Sequence, residues 1–399
     1  MRARRNLARH RKPLAINLAL QGGGAHGAYT WGVLDRLLEE PDLELHWVSG
    51  TSAGAVNAAA LASGIASGGY ASARTILRYV WEKVMAAAPP DISRSNPLLA
   101  TFFHMAQMSN MAAMMSPYDF NPLGFDPLRR ILEDAIDFTS IRRHPGADIL
   151  IAATDVETGR ARLFRRKHLK VEHVLASACL PSLHHAVEID GRFYWDGGFS
   201  ANPDLITLAL ESPCRDTLLI ELNPRIDTSR PRSAAEISAR VANITFSQPL
   251  VRDLQMIAAA KSHETGFFAG MDRSWRSGVY PNAQRSHVAK LRRHHFHIIE
   301  AGRHTSRLGQ STKMQADRAM VTALFEAGRA DAKTWFETHR GDIGQRSTLD
   351  FASFHNTPST VPPSPPADAR VKGLDSAPAV TAPGSVSPFR RPRADRNPR

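Results

Sequence analysis

The sequence predicts an α/β fold in which parallel strands alternate with helices, and two stretches near its start support this prediction. Residues 13–20 form a short apolar run typical of a buried strand, which leads into a glycine-rich loop and then a helix over about residues 28–40. Residues 43–49 have the composition of a second strand, and the Ala-rich residues 53–66 indicate a second helix. The order βαβα is typical of a parallel sheet covered by helices.

The composition is that of a globular protein. The chain has 399 residues, 43% of them apolar and 22% charged, which leaves room for one large domain or two ordinary ones. Its two cysteines, Cys179 and Cys214, form no disulfide or zinc-binding pattern and favour a reducing, cytoplasmic location. No apolar run reaches the roughly 18 residues of a membrane span, and the N-terminus lacks the apolar centre of a secretory signal. We therefore expect a soluble or peripheral protein.

The net charge of +12 is concentrated in the two ends of the chain. Residues 1–13 carry six basic residues and no acidic one, and residues 355–399 carry seven basic and three acidic residues with ten of the 26 prolines. We expect a flexible basic arm and a disordered tail, and no specific nucleic-acid partner for the folded part. The basic ends are compatible with peripheral contact with an anionic membrane, and solvated ends without function are the alternative. The sequence does not indicate an oligomeric state.

The stretch Gly50-Thr51-Ser52-Ala53-Gly54 lies where the second strand meets the second helix. A serine with glycines two residues before and after it fits the G-x-S-x-G turn, in which a strained turn exposes a nucleophilic hydroxyl. The N-terminus of the following helix favours the negative charge that develops during such a reaction. Ser52 is therefore a candidate nucleophile, with an ordinary helix-capping serine as the alternative.

The glycine-rich loop over residues 21–28 has two competing interpretations. Gly22-x-Gly24-x-x-Gly27, after a strand and before a helix, matches the dinucleotide-binding fingerprint. That interpretation requires an acidic residue at the end of the next strand, whereas Asp42 and Glu44 lie at its start and its end carries the Ser52 turn. Alternatively, backbone N–H groups of the loop face Ser52 and form an oxyanion hole, which explains both motifs together.

Three motifs in a fixed order make the chain resemble the patatin-like phospholipase family. They are Gly22-Gly23-Gly24-Ala25-His26-Gly27, the Ser52 turn, and Asp196-Gly197-Gly198, and the stretch 176–181 is similar to the block that precedes the family's aspartate. The resemblance covers about residues 14–210. It implies a three-layer α/β/α core with a central, mostly parallel sheet, followed here by a mainly helical C-terminal extension.

The resemblance also implies a catalytic Ser–Asp dyad rather than a triad. Ser52 matches the nucleophile and Asp196 the general base. The oxyanion hole would be formed by Gly22, Gly23, Gly24 and Ala53, with His26, Gly27, Gly50, Gly54, Gly197 and Gly198 supporting the motifs. The implied activity is that of a serine lipid acyl hydrolase of phospholipase A or lysophospholipase type, with a lipid or phospholipid substrate, no metal and no organic cofactor.

The sequence departs from the family at two positions of the loop. Gln21 stands where many members have Asp, and His26 stands where many have Arg or Lys. Neither change removes a glycine N–H group, so the oxyanion hole is still expected. At His26, however, the loop lacks the permanently charged side chain that many members have there.

Other functions remain open at this point. The same dyad suits short-chain or polymeric esters, and a non-catalytic nucleotide- or phosphate-binding module would use the glycine loop with Ser52 as a helix cap. A later histidine would complete a Ser–Asp–His order. His295 and His297 lie on one side of a predicted strand and are candidate metal ligands, but no cluster of acids or cysteines accompanies them.

We expect four further regions along the chain. Residues 86–125 are rich in methionine and form either a lid-like, acyl-binding segment within the catalytic domain or a core-facing helix. Residues 147–154 and 161–164 predict a strand and its hairpin partner. Residues 211–350 predict an α/β extension packed on the core, with strands over 217–222 and 294–299, helical residues over 234–268 and a long helix over 313–339.

Overall fold

The computed structural model describes residues 13–87, 116–144, 146–262 and 282–354. The predicted basic arm, the methionines of the predicted lid-like segment and the proline-rich tail lie outside the described residues. Within the described residues, eight strands form one sheet: β1 (Leu14–Leu20), β2 (Leu43–Thr51), β3 (Asp148–Asp155), β4 (Ala161–Arg165), β5 (Val187–Ile189), β6 (Arg192–Asp196), β7 (Asp216–Glu221) and β8 (His295–Glu300).

The sheet is mostly parallel. Its strand order is β5-β6-β3-β2-β1-β7-β8, with β4 paired to β3. The five strands β3, β2, β1, β7 and β8 run parallel, whereas β4, β5 and β6 pair antiparallel at one side. The predicted hairpin of β3 and β4 is confirmed. The strands of the C-terminal extension join the same sheet, because β7 pairs with β1.

Helices cover both faces of the sheet. They are α1 (Gly27–Leu37), α2 (Ala53–Ala87), α3 (Pro117–Phe120), α4 (Pro127–Ala135), α5 (Phe138–Arg143), α6 (Val171–Ser177), α7 (Ile206–Glu211), α8 (Ala234–Lys261), α9 (Asn282–Arg293), α10 (Gly302–Thr305) and α11 (Arg318–His339). Side chains alternate between the faces of a strand. Leu18 therefore packs in one apolar cluster with Leu34 of α1, and Ala19 packs in a second cluster with Leu208 of α7 and Leu254 of α8. The predicted three-layer α/β/α core is confirmed.

Two predicted helices have different bounds. The helix after Ser52 extends to Ala87, although Gly68 and Gly69 interrupt its helical backbone. The C-terminal helix begins at Arg318 rather than near residue 313, because the Asp317 side chain accepts the N–H of Met320 and so caps the helix there. Residues Gln310–Met314 form a separate 3-10 turn instead.

No helix among the described residues is both long and apolar enough to cross a bilayer.

Candidate active site

The register of β3 brings Ser52 and Asp196 together. The last residue of β2, Thr51, pairs with Ala152, and the last residue of β6, Asp196, pairs with Ala153. Because β4 occupies the other edge of β3 at these positions, β2 and β6 meet end to end along one edge. One residue of a strand spans about 3.3 Å. The residue after β2 therefore lies beside the end of β6, although 144 positions of sequence separate Ser52 from Asp196.

Ser52 lies in the turn between β2 and α2 and has the left-handed backbone expected of a strained elbow. Its φ is 56°, a value that non-glycine residues rarely adopt. The turn is tight because a Cβ atom on Gly54 would lie 2.1 Å from the carbonyl oxygen of Leu20. Gly50 and Gly54 lie against each other within it. The Ser52 backbone N–H donates to Ser177 Oγ at 2.9 Å, and Ser52 is only half-buried.

Asp196 is held rigidly by its backbone and by one carboxylate oxygen. Its N–H donates to the carbonyl oxygen of Cys179 at 2.8 Å, and its own carbonyl accepts from Thr154 Oγ1 at 2.8 Å. The Gly198 N–H donates to Oδ1 at 2.7 Å. Gly197 has no room for a side chain, since a Cβ atom there would lie 2.1 Å from the Ala152 carbonyl oxygen. Asp196, Gly197 and Gly198, here called the D-G-G motif, thus fix the direction of the carboxylate.

The second oxygen of Asp196 is buried and has no hydrogen-bond partner among the described residues. Complete burial raises the pKa of Asp196 to about 7, against the opposing effects of the Gly198 N–H and the Ser52 hydroxyl. The Ser52 hydroxyl is thus close enough to act on the carboxylate, yet no hydrogen bond of ordinary geometry reaches Oδ2.

Three backbone N–H groups around Ser52 have no protein partner within the part of the chain that the structure describes. They belong to Gly23 and Gly24 of the glycine loop and to Ala53, the first residue of α2. A Cβ atom on Gly22 would lie 2.8 Å from Ser52 Cβ, so the loop runs directly beside the serine. Unpaired N–H groups beside a serine are the donors that an oxyanion requires.

Gly22 has a different role in the loop. Its N–H donates to Asn202 Oδ1 at 2.8 Å and is not available to an oxyanion in this structure. Gly22 was predicted to donate to the oxyanion, but its N–H instead binds Asn202. This bond ties the loop to the segment that follows Asp196. Sequence reasoning gave no role to Asn202, which lies six residues after Asp196, or to Ser177, which lies within the stretch 176–181.

Gln21 holds the loop through a neutral oxygen. Gln21 Oε1 accepts the backbone N–H groups of Leu222 at 2.6 Å and Asn223 at 3.0 Å, at the end of β7. The glutamine that replaces the family's aspartate therefore anchors the loop without a charge. The Gln21 Nε2 amide is buried without a partner among the described residues.

His26 is neutral, and the nearby positive charge comes from elsewhere in the chain. Burial and the charge of Lys313 lower the pKa of His26 to about 4. Its Nε2 lies 2.8 Å from Thr312 Oγ1, whose own proton goes to the Gly309 carbonyl, so Nε2 carries the hydrogen and donates it. Lys313 Nζ donates to Asn223 Oδ1 at 2.7 Å, and its carbonyl lies directly against Gly24. A segment outside the predicted 14–210 domain therefore supports the glycine-rich loop.

His295 and His297, the candidate metal ligands, lie at the opposite end of the parallel strands from Ser52. His295 and His297 both contact Asp216, at the start of β7, whereas Ser52 follows the end of the parallel strand β2. They therefore do not complete a triad with Ser52 and Asp196. No cluster of three or more His, Cys, Asp or Glu suited to a metal ion is found in the described ranges.

Comparison with known proteins agrees with the family predicted from the motifs. Residues 18–209 match the family model described as patatin-like phospholipase. VipD of Legionella pneumophila aligns with 82% of this chain and 68% of its own, at 14% identity and a TM-score of 0.40. ExoU of Pseudomonas aeruginosa, solved with SpcU, aligns with 60% of this chain and 51% of its own, at 16% identity and a TM-score of 0.27. No curated protein sequence matches the chain.

Proposed function

We propose that this chain cleaves acyl esters of phospholipids or lysophospholipids with a Ser52–Asp196 dyad. Its residues 18–209 form a patatin-like phospholipase domain, so the chain is a lipid ester hydrolase. One observation carries the proposal. The strained Ser52 turn lies beside a buried carboxylate whose free oxygen has no other partner among the described residues. That arrangement supplies a nucleophile and a base with no third residue.

In the acylation step, Asp196 Oδ2 takes the proton of Ser52 Oγ while Oγ attacks the ester carbonyl carbon. The carbonyl oxygen becomes an oxyanion, which accepts hydrogen bonds from the N–H groups of Gly23, Gly24 and Ala53. The bond to the alcohol oxygen then breaks, and Asp196 returns the proton to that oxygen. Water attacks the acyl-enzyme by the same steps, so that Ser52 regains its hydrogen and a fatty acid leaves.

The raised pKa of Asp196 supports this role. A carboxylate with an ordinary pKa is a weak base toward a serine hydroxyl, and burial that lifts the pKa to about 7 makes it stronger at neutral pH. The same burial removes water that would compete for the free oxygen. The N–H donors stabilise the negative charge of the oxyanion by hydrogen bonds, and one such donor is worth about 10²–10³ in rate.

The proposal is tested by labelling the full chain with a fluorophosphonate and mapping the modified peptide. We expect the label on Ser52, no label in Ser52→Ala, and strongly slowed labelling in Asp196→Asn. Ser200→Ala is the matched control, because Ser200 is also half-buried near Asp196 but its hydroxyl bonds Thr154. A label on another residue, or an unchanged rate in Ser52→Ala, contradicts the dyad.

Substrate class is tested separately with long-chain phospholipids, lysophospholipids and short-chain esters. We expect the highest kcat/KM for a long-chain lipid. Equal or better activity on short-chain or polymeric esters would favour the alternative ester substrates while leaving the dyad in place. The nucleotide-binding alternative has lost its support, since the domain is that of an ester hydrolase.

A further inference from the structure

The first half of α8 exposes an apolar stripe. Ile237, Val241 and Ile244 are 48%, 57% and 50% exposed, respectively. Their spacings of four and three residues place them on one side of the helix. Single exposed apolar residues are common, but three large ones in a continuous row mark a surface that contacts an apolar partner.

The opposite side of the same helix borders the candidate active site. The Phe246 ring packs on Phe199 with centroids 4.6 Å apart and lies against Gly198, next to Asp196. The Phe246 carbonyl accepts the Asn202 side-chain amide at 2.8 Å, and Asn243 Oδ1 accepts from Lys313 Nζ at 3.1 Å. The stripe is thus the outer face of a helix whose inner face touches both the D-G-G motif and the support of the glycine-rich loop.

The loop before α8 carries a fourth exposed apolar residue and two exposed positive charges. Ile226 is 80% exposed, and the side chains of Arg230 and Arg232 are also exposed. Arg240 ties this loop to the helix, because its guanidinium pairs with Asp227 at 2.6 Å and donates to the Ser229 carbonyl at 2.9 Å.

The acidic residues of this region are already engaged. Asp227 pairs with Arg240, and the Glu236 carboxylate accepts the N–H groups of Arg232 and Ser233 at the start of the helix. The Glu236 carboxylate keeps its negative charge, since these bonds lower its pKa, so Arg230 and Arg232 leave the surface with a small positive excess. An apolar stripe flanked by arginines is complementary to a bilayer, with phosphates for the arginines and acyl chains for the stripe.

We propose that the stripe of α8, together with Ile226, Arg230 and Arg232, docks onto the surface of an anionic lipid bilayer and brings the Ser52 site to its substrate. The proposal rests on the lipid substrate proposed above, because a phospholipid is presented at such a surface. Docking at this face places α8 directly on the membrane, and α8 also contacts the D-G-G motif.

Docking is tested by co-sedimentation of the full chain with vesicles of phosphatidylcholine containing phosphatidylglycerol. All proteins carry Ser52→Ala, so that binding is measured whether or not the chain hydrolyses the lipid. We expect the triple variant Ile237→Ser, Val241→Ser, Ile244→Ser to lose about tenfold or more in partitioning. The loss should persist in 0.5 M salt, which screens the contribution of the basic ends of the chain.

A pair of single variants on one helix provides the matched control. Ile244 and Met256 are both 50% exposed on α8, but Met256 lies twelve residues, or about 18 Å, further along the axis. We expect Ile244→Ser to weaken binding and Met256→Ser to leave it unchanged. Arg230→Gln with Arg232→Gln should weaken binding to vesicles with phosphatidylglycerol and not to pure phosphatidylcholine.

Hydrolysis separates this proposal from the proposed function. With Ser52 intact, the triple variant should hydrolyse vesicle lipid about tenfold more slowly and a soluble short-chain ester at the normal rate. Absence of hydrolysis in the wild-type protein would contradict the proposed function and leave the binding result valid. Unchanged vesicle binding by the triple variant, an equal loss in Met256→Ser, or a change in oligomeric mass on removing the stripe would overturn docking.

Discussion

Asp196 and Asp216 are both buried aspartates of the same sheet, but they lie near opposite ends of its parallel strands and in contrasting environments. Asp196 ends β6 beside Ser52, and one of its two carboxylate oxygens is unpartnered among the described residues. Asp216 begins β7, where Oδ1 accepts the Gly344 N–H at 2.7 Å and lies 3.1 Å from both His295 Nδ1 and His297 Nε2.

Their pKa values move in opposite directions. Burial alone raises the pKa of a carboxyl group, and it does so for both residues. At Asp216 the hydrogen bonds from His297 and Gly344, with the charges of His295 and His297, outweigh burial and lower the pKa. At Asp196 the Gly198 N–H and the Ser52 hydroxyl are too weak to do so, and the pKa rises to about 7.

The comparison teaches that burial does not by itself make a base. Hydrogen-bond donors stabilise the ionised form of Asp216 and make it a poor proton acceptor. One oxygen of Asp196 has no hydrogen-bond donor, so the ionised carboxylate is less stabilised and binds a proton more readily. Asp196 is therefore the better candidate for a base, although both are the same side chain in the same sheet.

The strongest test of this contrast is Asp196→Asn. Asparagine keeps an oxygen for the Gly198 N–H but cannot accept the Ser52 proton, so we expect kcat/KM for a soluble ester to fall by about 10²–10⁴-fold. Its thermal stability at pH 8 should match or exceed that of the wild type, because the costly buried charge is gone. Retention of more than a tenth of the activity would remove Asp196 from the role of base.

The pH dependence gives the next largest effect. Because only ionised Asp196 accepts a proton, kcat/KM should rise through an apparent pKa of about 7 and fall about tenfold per pH unit well below it. Stability should move the other way. The folded pKa lies above the unfolded value of about 4, so this group stabilises the fold below pH 4 and loses that contribution as the pH rises to about 7. A flat kcat/KM between pH 5 and 7 would contradict the raised pKa.

Asp216→Asn should affect stability rather than activity. Removing the charge weakens its hydrogen bonds to buried groups, and we expect the free energy of unfolding at pH 7 to fall by about 1–3 kcal/mol, measured in urea. Activity should stay within about threefold of the wild type. Since the folded pKa of Asp216 is lowered, the difference in stability should shrink as the pH falls below about 4. A loss of activity as large as that of Asp196→Asn would abolish the contrast between the two residues.

The smallest effect is expected at the contact between His26 and Thr312, which supports the glycine-rich loop. Thr312→Val leaves the buried His26 Nε2–H without its acceptor, so the loop should loosen and kcat should fall less than tenfold with KM little changed. Thr334→Val is the control, because Thr334 is an exposed threonine of α11 whose hydroxyl bonds the carbonyl of Ala330. Equal kcat values for the two variants would show that the Thr312 contact does not position the loop.

Much of the fold could be predicted because its signals are local. Apolar runs predicted β1, β3 and β7 within a residue or two, and the Ser52 turn was predicted from five residues. The start of α11 was misplaced because residues 313–317 have a helical composition, whereas the Asp317 cap sets the true beginning. The joining of β7 to β1 was not predicted, since strand pairing depends on contacts about 200 residues apart.

The site divides in the same way. Local motifs predicted Ser52 and the glycine loop, whereas Asp196 was predicted as the base only through the resemblance to the family. Asn202, Thr312 and Lys313 could not be identified, since each contacts the loop from a distant part of the chain. The hydrogen bond from the Gly22 N–H to Asn202 could not be predicted either, because the two residues are 180 positions apart.

The sequence by itself determined the turns of the site, because small residues such as Gly54 and Gly197 are the only ones that fit those close approaches. Only the tertiary structure decided that Ser52 meets Asp196, since this depends on where β2 and β6 end along β3. It also decided which of two buried aspartates has a raised pKa. Burial and hydrogen-bond partners set a pKa, and both arise from residues that are distant in sequence and adjacent only in the fold.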